Sequence, residues 1–349
     1  MKKYRVGIVG LGMGKGHIRS FQSHPNSEVV AITDVNEEPL NRIGEEYGIK
    51  ARYTDHTKML AKEKLDIVGV ATPNIFHKPI TIDALEAGCH VLCEKPMAMN
   101  AQEAEDMLAA AKTADRKLMI NFSFRFKPQS WAIKRQVEKG RIGDIYMART
   151  LWHRRRGFPG FGGWFGQKDK SGGGPLIDLG VHRLDLALWF MGYPEPTCVL
   201  GSTYNHLGKE ASEKEGKKYD VEDLAAAFIK FKNGASLILE ASWAANIQQK
   251  EHMKTRLFGT RGGALNYNLN GGYDFGTDLY VEEDGCQFDM KLNSKMGVKD
   301  APPSAMHNMV DSLITGNPNT ATGEEGLIVM KLLDAIYKSA ETGKPIEIS

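Results

Sequence analysis

The feature that most constrains this chain is the alternation that begins at its N-terminus. Tyr4 to Val9 reads as a short buried strand that runs straight into Gly10-Leu-Gly-Met-Gly-Lys-Gly-His17. A strand, a glycine turn and then a helix aim backbone N–H groups and a helix N-terminus at a pyrophosphate. Gly10 and Gly12 fill the first two glycine positions of that fingerprint. The third holds Lys15, between Gly14 and Gly16, so the motif is irregular and depends on its context. The second strand, Glu28 to Thr33, supplies that context by ending in Asp34, about 20 residues past the turn, where a carboxylate accepts hydrogen bonds from adenosine ribose hydroxyls. The same charge repels a ribose 2′-phosphate, and Val35 and Asn36 offer no arginine to bind one, which favours NAD over NADP. Gly10, Gly12, Met13, Gly14 and Asp34 are the first candidate cofactor residues.

The alternation continues. Asn36 caps a helix that Gly48 closes, Asp66 to Ala71 is a strand, and a helix from His77 ends at Gly88. His90 to Cys93 and Lys117 to Phe122 are further strands, with a helix between them that opens on the capping pair Asn100 and Glu103. The expected domain is a Rossmann-type, doubly wound parallel sheet over residues 1–123. Ligands in such sheets bind outside the carboxyl ends of the strands. Thr72-Pro73-Asn74 through His77, and Glu94-Lys95-Pro96, stand there.

Beyond residue 123 the periodicity changes, and residues 124–349 are expected to form an α+β domain with a large, mostly antiparallel sheet. Asp223 to Phe231 and Ala235 to Trp243 are alternating apolar runs joined by Asn233-Gly234, a strong hairpin signal. Small and apolar residues on both faces of Leu224 to Ile229 point to a sheet that packs against another subunit. The charged segment from Lys209 to Lys218 reads as a mobile loop. Two helices, near Ser304 to Thr315 and Gly323 to Thr342, finish the domain.

The chemistry centres on Gly172 to Asp185. Three glycines and a proline let the backbone turn sharply before an apolar helix from Leu176 to Trp189. Asp178 and His182, four apart, fall on one face, where a carboxylate can orient an imidazole. The alternative for such a pair taken alone is a helix cap and a satisfied core histidine. Oxidation of a secondary alcohol needs a base for the hydroxyl proton, which a carboxylate-oriented histidine supplies. A cation such as Lys95 would stabilise charge on the same oxygen. Between His153 and Ser171 lie Arg154-Arg155-Arg156, Phe158, Phe161, Trp164 and Phe165. Aromatic faces and multidentate donors suit a polyhydroxylated ring; a solvated basic turn with anchoring aromatics is the other reading. Arg154 and Trp164 are candidate substrate residues, with Asn121 and Arg125 within reach.

The bounds agree. With 45 basic and 43 acidic residues the net charge is +2, without a basic block, which leaves no footprint for nucleic acid or an anionic membrane. No apolar run approaches the length of about 20 residues that a membrane span needs, no signal-peptide pattern is seen, and a cytoplasmic location is expected. Cys89, Cys93, Cys198 and Cys286 are too scattered for a disulfide framework, and no metal site is expected.

Four segments at this order and spacing resemble the Gfo/Idh/MocA family of nicotinamide-dependent oxidoreductases: the glycine turn, Thr-Pro-Asn-x-x-His, Ala87 to Pro96, and Gly172 to His182. The resemblance covers nearly the whole chain. It implies that Lys95 lies near the reacting carbon, that the bond before Pro96 is cis, and that Asp178 and His182 complete the catalytic set with His182 as proton acceptor. It also implies that Asn74, His77 and Glu94 line the cofactor. His17 follows Gly10 by seven residues where many members have eight, which leaves the part of Lys15 and His17 open. The expected activity is hydride transfer between NAD and a secondary alcohol carbon of a sugar, glycoside or cyclitol such as inositol, in a homodimer or homotetramer built through the C-terminal sheet. Two alternatives stay open: a redox-neutral, NAD-retaining enzyme that cleaves a glycosidic group, and a non-catalytic NAD sensor.

Overall fold

The computed structural model describes residues 3–293 and 297–348. The chain divides into two units, residues 1–122 with 302–330, and residues 123–301 with 331–349.

The first unit is built on six parallel strands: β1 (Tyr4–Val9), β2 (Ser27–Thr33), β3 (Ala51–Tyr53), β4 (Ile67–Val70), β5 (His90–Cys93) and β6 (Leu118–Ile120). Their order, β3-β2-β1-β4-β5-β6, reverses direction beside β1, which opens a crevice at the carboxyl ends of β1 and β4. Val6, Ile8, Ile67, Val68, Val91 and Leu92 are fully buried, as a parallel sheet covered on both faces requires. The caps read from sequence are present. The Asn36 carboxamide accepts from Glu38 N at 3.1 Å, and that of Asn100 from Glu103 N at 2.9 Å. The three-residue β3 was not anticipated, because so short an edge strand carries no period.

Residues 302–330 belong with this unit rather than with the second domain in which they were expected. The helix Ala305–Thr315 lies against the helix Gly14–Gln22, where Ser304 Oγ and Ser20 Oγ are 2.7 Å apart and His24 Nε2 is 3.1 Å from Asp311. Lys117 Nζ donates to the carbonyls of Ser312 and Asn317 at 3.0 and 2.7 Å.

The second unit is a nine-stranded sheet. Its strands are β7 (Ile145–Arg154), β8 (Pro196–Tyr204), β9 (Leu224–Phe231), β10 (Ser236–Ser242), β11 (Glu251–Gly259), β12 (Gly262–Asn268), β13 (Phe275–Glu283), β14 (Cys286–Lys291) and β15 (Ile346–Glu347). The order is β14-β13-β12-β11-β7-β10-β9-β8-β15, antiparallel except between β7 and β10. Gly234, at φ 86°, closes the β9–β10 hairpin. Ala225, Ala227 and Ile229 point to the buried face, while Leu200 and Phe228, paired across β8 and β9, stay 48% and 40% exposed on the other. The segment read as a mobile loop is a helix, Leu207–Glu215, ended by Gly216. Its charges are helix formers at helical spacing, and Lys214 pairs with Glu210 four residues earlier at 2.6 Å.

Candidate active site

In the first unit the glycine turn is shaped by close approach. Gly10 has φ 85°, and a Cβ there would lie 2.6 Å from the Ala71 carbonyl at the end of β4. Leu11 N and Asn36 N donate to the two oxygens of Asp34 at 2.9 and 3.0 Å, which fixes that carboxylate at the end of β2 with lone pairs to spare. Gly12 has open space where a side chain would stand, and Met13, 68% exposed, begins the helix Gly14–Gln22 with no side-chain cap and no acid in its first turn. A bare helix N-terminus beside a backbone without side chains suits a pyrophosphate, and a fixed carboxylate suits a ribose diol. The residues present therefore fit a dinucleotide.

The ends of β4 and β5 are tied together by His77. Its Nδ1 faces the Pro96 carbonyl at 2.8 Å and its Nε2 the Thr72 carbonyl at 2.9 Å. Burial pushes its pKa down against the upward pull of those carbonyls. The Lys95–Pro96 bond is cis. Glu94 is buried, and its Oε1 takes hydrogen bonds from His17 Nε2 and Asn121 Nδ2, both at 2.7 Å. Burial pushes the Glu94 pKa up, but His17, Asn121 and the Lys95 charge outweigh it and hold the carboxyl below its ordinary value. Asn74 is buried in a 3-10 turn, and Lys95 is half-buried.

In the second unit, Gly172 ends a short helix at φ 84°, and the next two glycines are demanded by neighbours. A Cβ on Gly173 would collide with the Tyr337 hydroxyl, and one on Gly174 with the Glu222 carbonyl. The buried Glu222 carboxylate accepts from Gly174 N at 2.9 Å, Leu176 N at 3.0 Å and the Tyr337 hydroxyl at 3.0 Å, so it holds the start of the helical segment. Burial pushes Glu222 up despite these donors. Leu176–Gly180 forms a π turn that leads into the helix Val181–Met191. This wider turn carries Asp178, and His182 stands at the start of the regular helix. π turns of this kind are frequent at functional sites.

Asp178 is oriented from outside its helix: the fully buried Trp243 donates its indole N–H to Oδ2 at 2.9 Å. His182 is 8% exposed and lies against two rings, Phe124 at 5.0 Å edge-on and Trp152 at 5.7 Å. Beside them, β7 and β11 pair Arg154 directly with Glu251. Glu251 Oε1 collects Trp152 Nε1 at 2.6 Å, Arg154 Nε at 2.9 Å and the Tyr273 hydroxyl at 3.1 Å. This forms an aromatic wall with a charged, hydrogen-bonding rim against His182, four residues after the tethered Asp178. It is a suitable surface for presenting a hydroxyl to a base.

Comparison with known proteins identifies the family. Residues 4–122 match the model described as "Oxidoreductase family, NAD-binding Rossmann fold", and residues 134–348 match "Oxidoreductase family, C-terminal alpha/beta domain". The chain belongs to the Gfo/Idh/MocA oxidoreductase family. A relative named D-glucoside 3-dehydrogenase, from Escherichia coli strain K12, is 34% identical over 355 residues, covering 99% of this chain and 97% of that one. Among solved structures, aldose-aldose oxidoreductase from Caulobacter crescentus complexed with glycerol is 26% identical with a TM-score of 0.82, over 99% of this chain and 100% of that one. Levoglucosan dehydrogenase in complex with NADH superposes with a TM-score of 0.88 at 22% identity over the full length of both chains, a likeness of fold.

Two substrate candidates of this Gfo/Idh/MocA chain are placed otherwise than expected. Arg125 is fully buried, its Nε and Nη2 on Asp185 at 3.0 and 2.6 Å and its Nη2 also on the Tyr193 hydroxyl. A desolvated guanidinium needs such a partner, so it is a core ion pair. Asn121 donates to Glu94 and supports that carboxylate. Lys15, left open by sequence, pairs with Glu46 at 2.9 Å, and His17 supports Glu94. Trp164 is half-buried and stacks on Phe165 at 3.8 Å, which in turn contacts Trp243. Glu222, Trp243, Trp152, Glu251 and Tyr273 escaped the sequence reading. One signal was available for Glu251, an acid on the face of β11 that otherwise carries Met253, Thr255 and Leu257.

No group of residues that could hold a metal ion occurs among the described residues, and none of their helices is long and apolar enough to cross a membrane.

Proposed function

We propose that this chain is an NAD-dependent dehydrogenase that moves a hydride between the nicotinamide and a secondary alcohol carbon of a sugar, glycoside or cyclitol. The observation that carries this reading is the second-unit constellation, with Asp178 held by Trp243 and followed four residues later by His182 against the Phe124 and Trp152 rings. NAD, when bound, supplies the hydride acceptor at nicotinamide C4. The chain's own residues do the rest. His182 takes the hydroxyl proton, Asp178 orients the acid/base pair, and Lys95 stabilises negative charge on the carbinol oxygen. Gly10, Gly12, Met13 and Gly14 receive the pyrophosphate, Asp34 binds the ribose diol, and Thr72, Pro73, Asn74, His77 and Glu94 shape the nicotinamide end. Arg154, Glu251 and Tyr273 offer donors and acceptors for further hydroxyls, and Trp164 an aromatic face. The 34% identical relative bears a name of this substrate class, which supports the reading. The half-exposed apolar pair Leu200 and Phe228 supports a homodimer or homotetramer through the outer sheet face.

Absorbance at the reduced-nicotinamide band, with purified protein, NAD and a panel of monosaccharides, glycosides, anhydrosugars and inositols, tests the activity. Growth of the band with one neutral compound, abolished in His182→Ala while NADH still binds, is the expected result. Silence across the panel, or full turnover in His182→Ala, would remove the reading or its base.

A further inference from the structure

Arg183, the residue after His182, is the least explained charge in the second unit. It is fully buried, and among the described residues none of its three guanidinium nitrogens has a hydrogen-bond partner. It stacks instead in an aromatic cage, 4.6 Å from the Phe124 centroid and 5.4 Å from those of Trp152 and Phe275. Phe124 and Trp152 are the two rings that also pack against His182. Burying an unpaired guanidinium is costly, and an apolar side chain of similar length would fill this cage at less expense of stability. A charge kept where folding would do better without it calls for another explanation.

The charges around it favour one. Glu251 is the carboxylate that acts electrostatically on Arg183, and Arg154 already binds it at 2.9 Å. Two guanidiniums therefore face one carboxylate, and the cluster is net positive. Tyr273 also faces it, with its hydroxyl on Glu251. On the helical segment itself, Asp185 is neutralised by Arg125, and Asp178 is held by Trp243. Burial pushes the guanidinium pKa down to about 9, against the pull of Glu251 and Tyr273, so the group stays charged at neutral pH.

We propose that Arg183 is a positioning residue for the reaction: a fixed cation, sharing the Phe124 and Trp152 rings with His182, that keeps the imidazole unprotonated and ready to accept the alcohol proton. The proposal rests on the reading of His182 as the base. A second positive charge on the imidazole would be formed beside the guanidinium at a buried place that water screens little. Two like charges packed against the same pair of rings repel, which disfavours the protonated imidazole and moves its titration down by about one unit.

The test titrates the His182 ring by imidazole 15N NMR in the full-length protein, alongside the pH profile of kcat/KM, for Arg183→Met, Arg183→Gln and Arg183→Lys. In the two uncharged variants the ring midpoint and the acid limb are expected to rise by about one unit. Arg183→Lys should remain at the wild-type position, and Arg183→Met should melt no lower than the wild type. Midpoints in Met and Gln within about 0.3 unit of wild type overturn the proposal, and so does a lowered melting temperature with unmoved midpoints, which marks a packing role. If His182→Ala keeps its turnover, the assignment of the base fails on its own, and the ring titration still decides the effect of Arg183.

Discussion

The cofactor preference can be worked through from Asp34. Its two oxygens already accept Leu11 N and Asn36 N, so the carboxylate cannot swing away from an incoming adenosine ribose. A 2′-phosphate there carries up to about two negative charges. At about 5 Å and an effective dielectric of about 40, each costs about 1.7 kcal/mol against Asp34, or about 3 kcal/mol in all. The wild type should therefore bind NADH more tightly than NADPH by about a hundredfold. Asp34→Asn keeps the shape and removes the charge, but its amide replaces one acceptor with a donor and leaves one of the two loop N–H groups unmatched. That loss, about 1–3 kcal/mol, weakens both cofactors alike. The ratio of the two dissociation constants should consequently fall by at least about tenfold in Asp34→Asn while NADH binding itself weakens. Titration calorimetry with NADH and NADPH measures both constants without a substrate. An unchanged ratio in the variant, or a wild type that binds NADPH as tightly as NADH, would refute the electrostatic reasoning.

Three further outcomes are expected. Trp243→Phe keeps a ring in the core but deprives Asp178 of its indole donor, which should cost about 2 kcal/mol in urea unfolding and lower kcat by about tenfold with KM little changed; equal kcat would show that Asp178 needs no tether. Asp185→Ala should destabilise the protein by about 3–5 kcal/mol by stranding the buried Arg125 charge, and adding Arg125→Met should recover much of it; additive losses would contradict the core-pair assignment. His90 is held neutral in the fold, chiefly by burial and then by Arg116 and Lys117, which together push its pKa down to about 4, and its Nδ1 accepts Lys117 N–H at 3.0 Å. The unfolded ring protonates near 6.5, so the stability that depends on the neutral ring is complete above that pH and is lost as the pH falls towards 4. Melting temperatures should drop more steeply over that interval in the wild type than in His90→Gln, and parallel curves would count against the mechanism.

What could be read from the sequence, and what could not, divides by the range of the forces involved. Asn36 and Asn100 were legible as caps because the N–H groups they satisfy lie two and three residues away. Arg125 reads as a substrate candidate because the group that pairs with its charge, Asp185, is 60 residues later; from sequence alone, a buried guanidinium and a substrate-binding one look the same. His17 and Glu94 are 77 residues apart, and that separation hides the pairing of a histidine whose part the glycine turn leaves open. The glycines at 172–174 show the two ranges meeting in one motif. Gly172 is needed for a local left-handed turn, which sequence reasoning can supply. Gly173 and Gly174 are needed because Tyr337 and Glu222 press against the backbone, and these neighbours lie far along the chain. A run that reads as flexible is thus clamped, since Glu222 binds the N–H of Gly174 just before the π turn and that of Leu176 at its first position. The consequence runs on to the chemistry. Asp178 enters the same turn and is met by Trp243 from β10's end, so both ends of its geometry are set by residues outside its own helix. An alanine at Gly174 should therefore disturb Asp178 and His182 more than it disturbs the helix they stand on. Loss of turnover at nearly unchanged far-UV helicity is the expected signature. A variant with normal turnover would mean that the Glu222 clamp does not govern the proposed pair of Asp178 and His182.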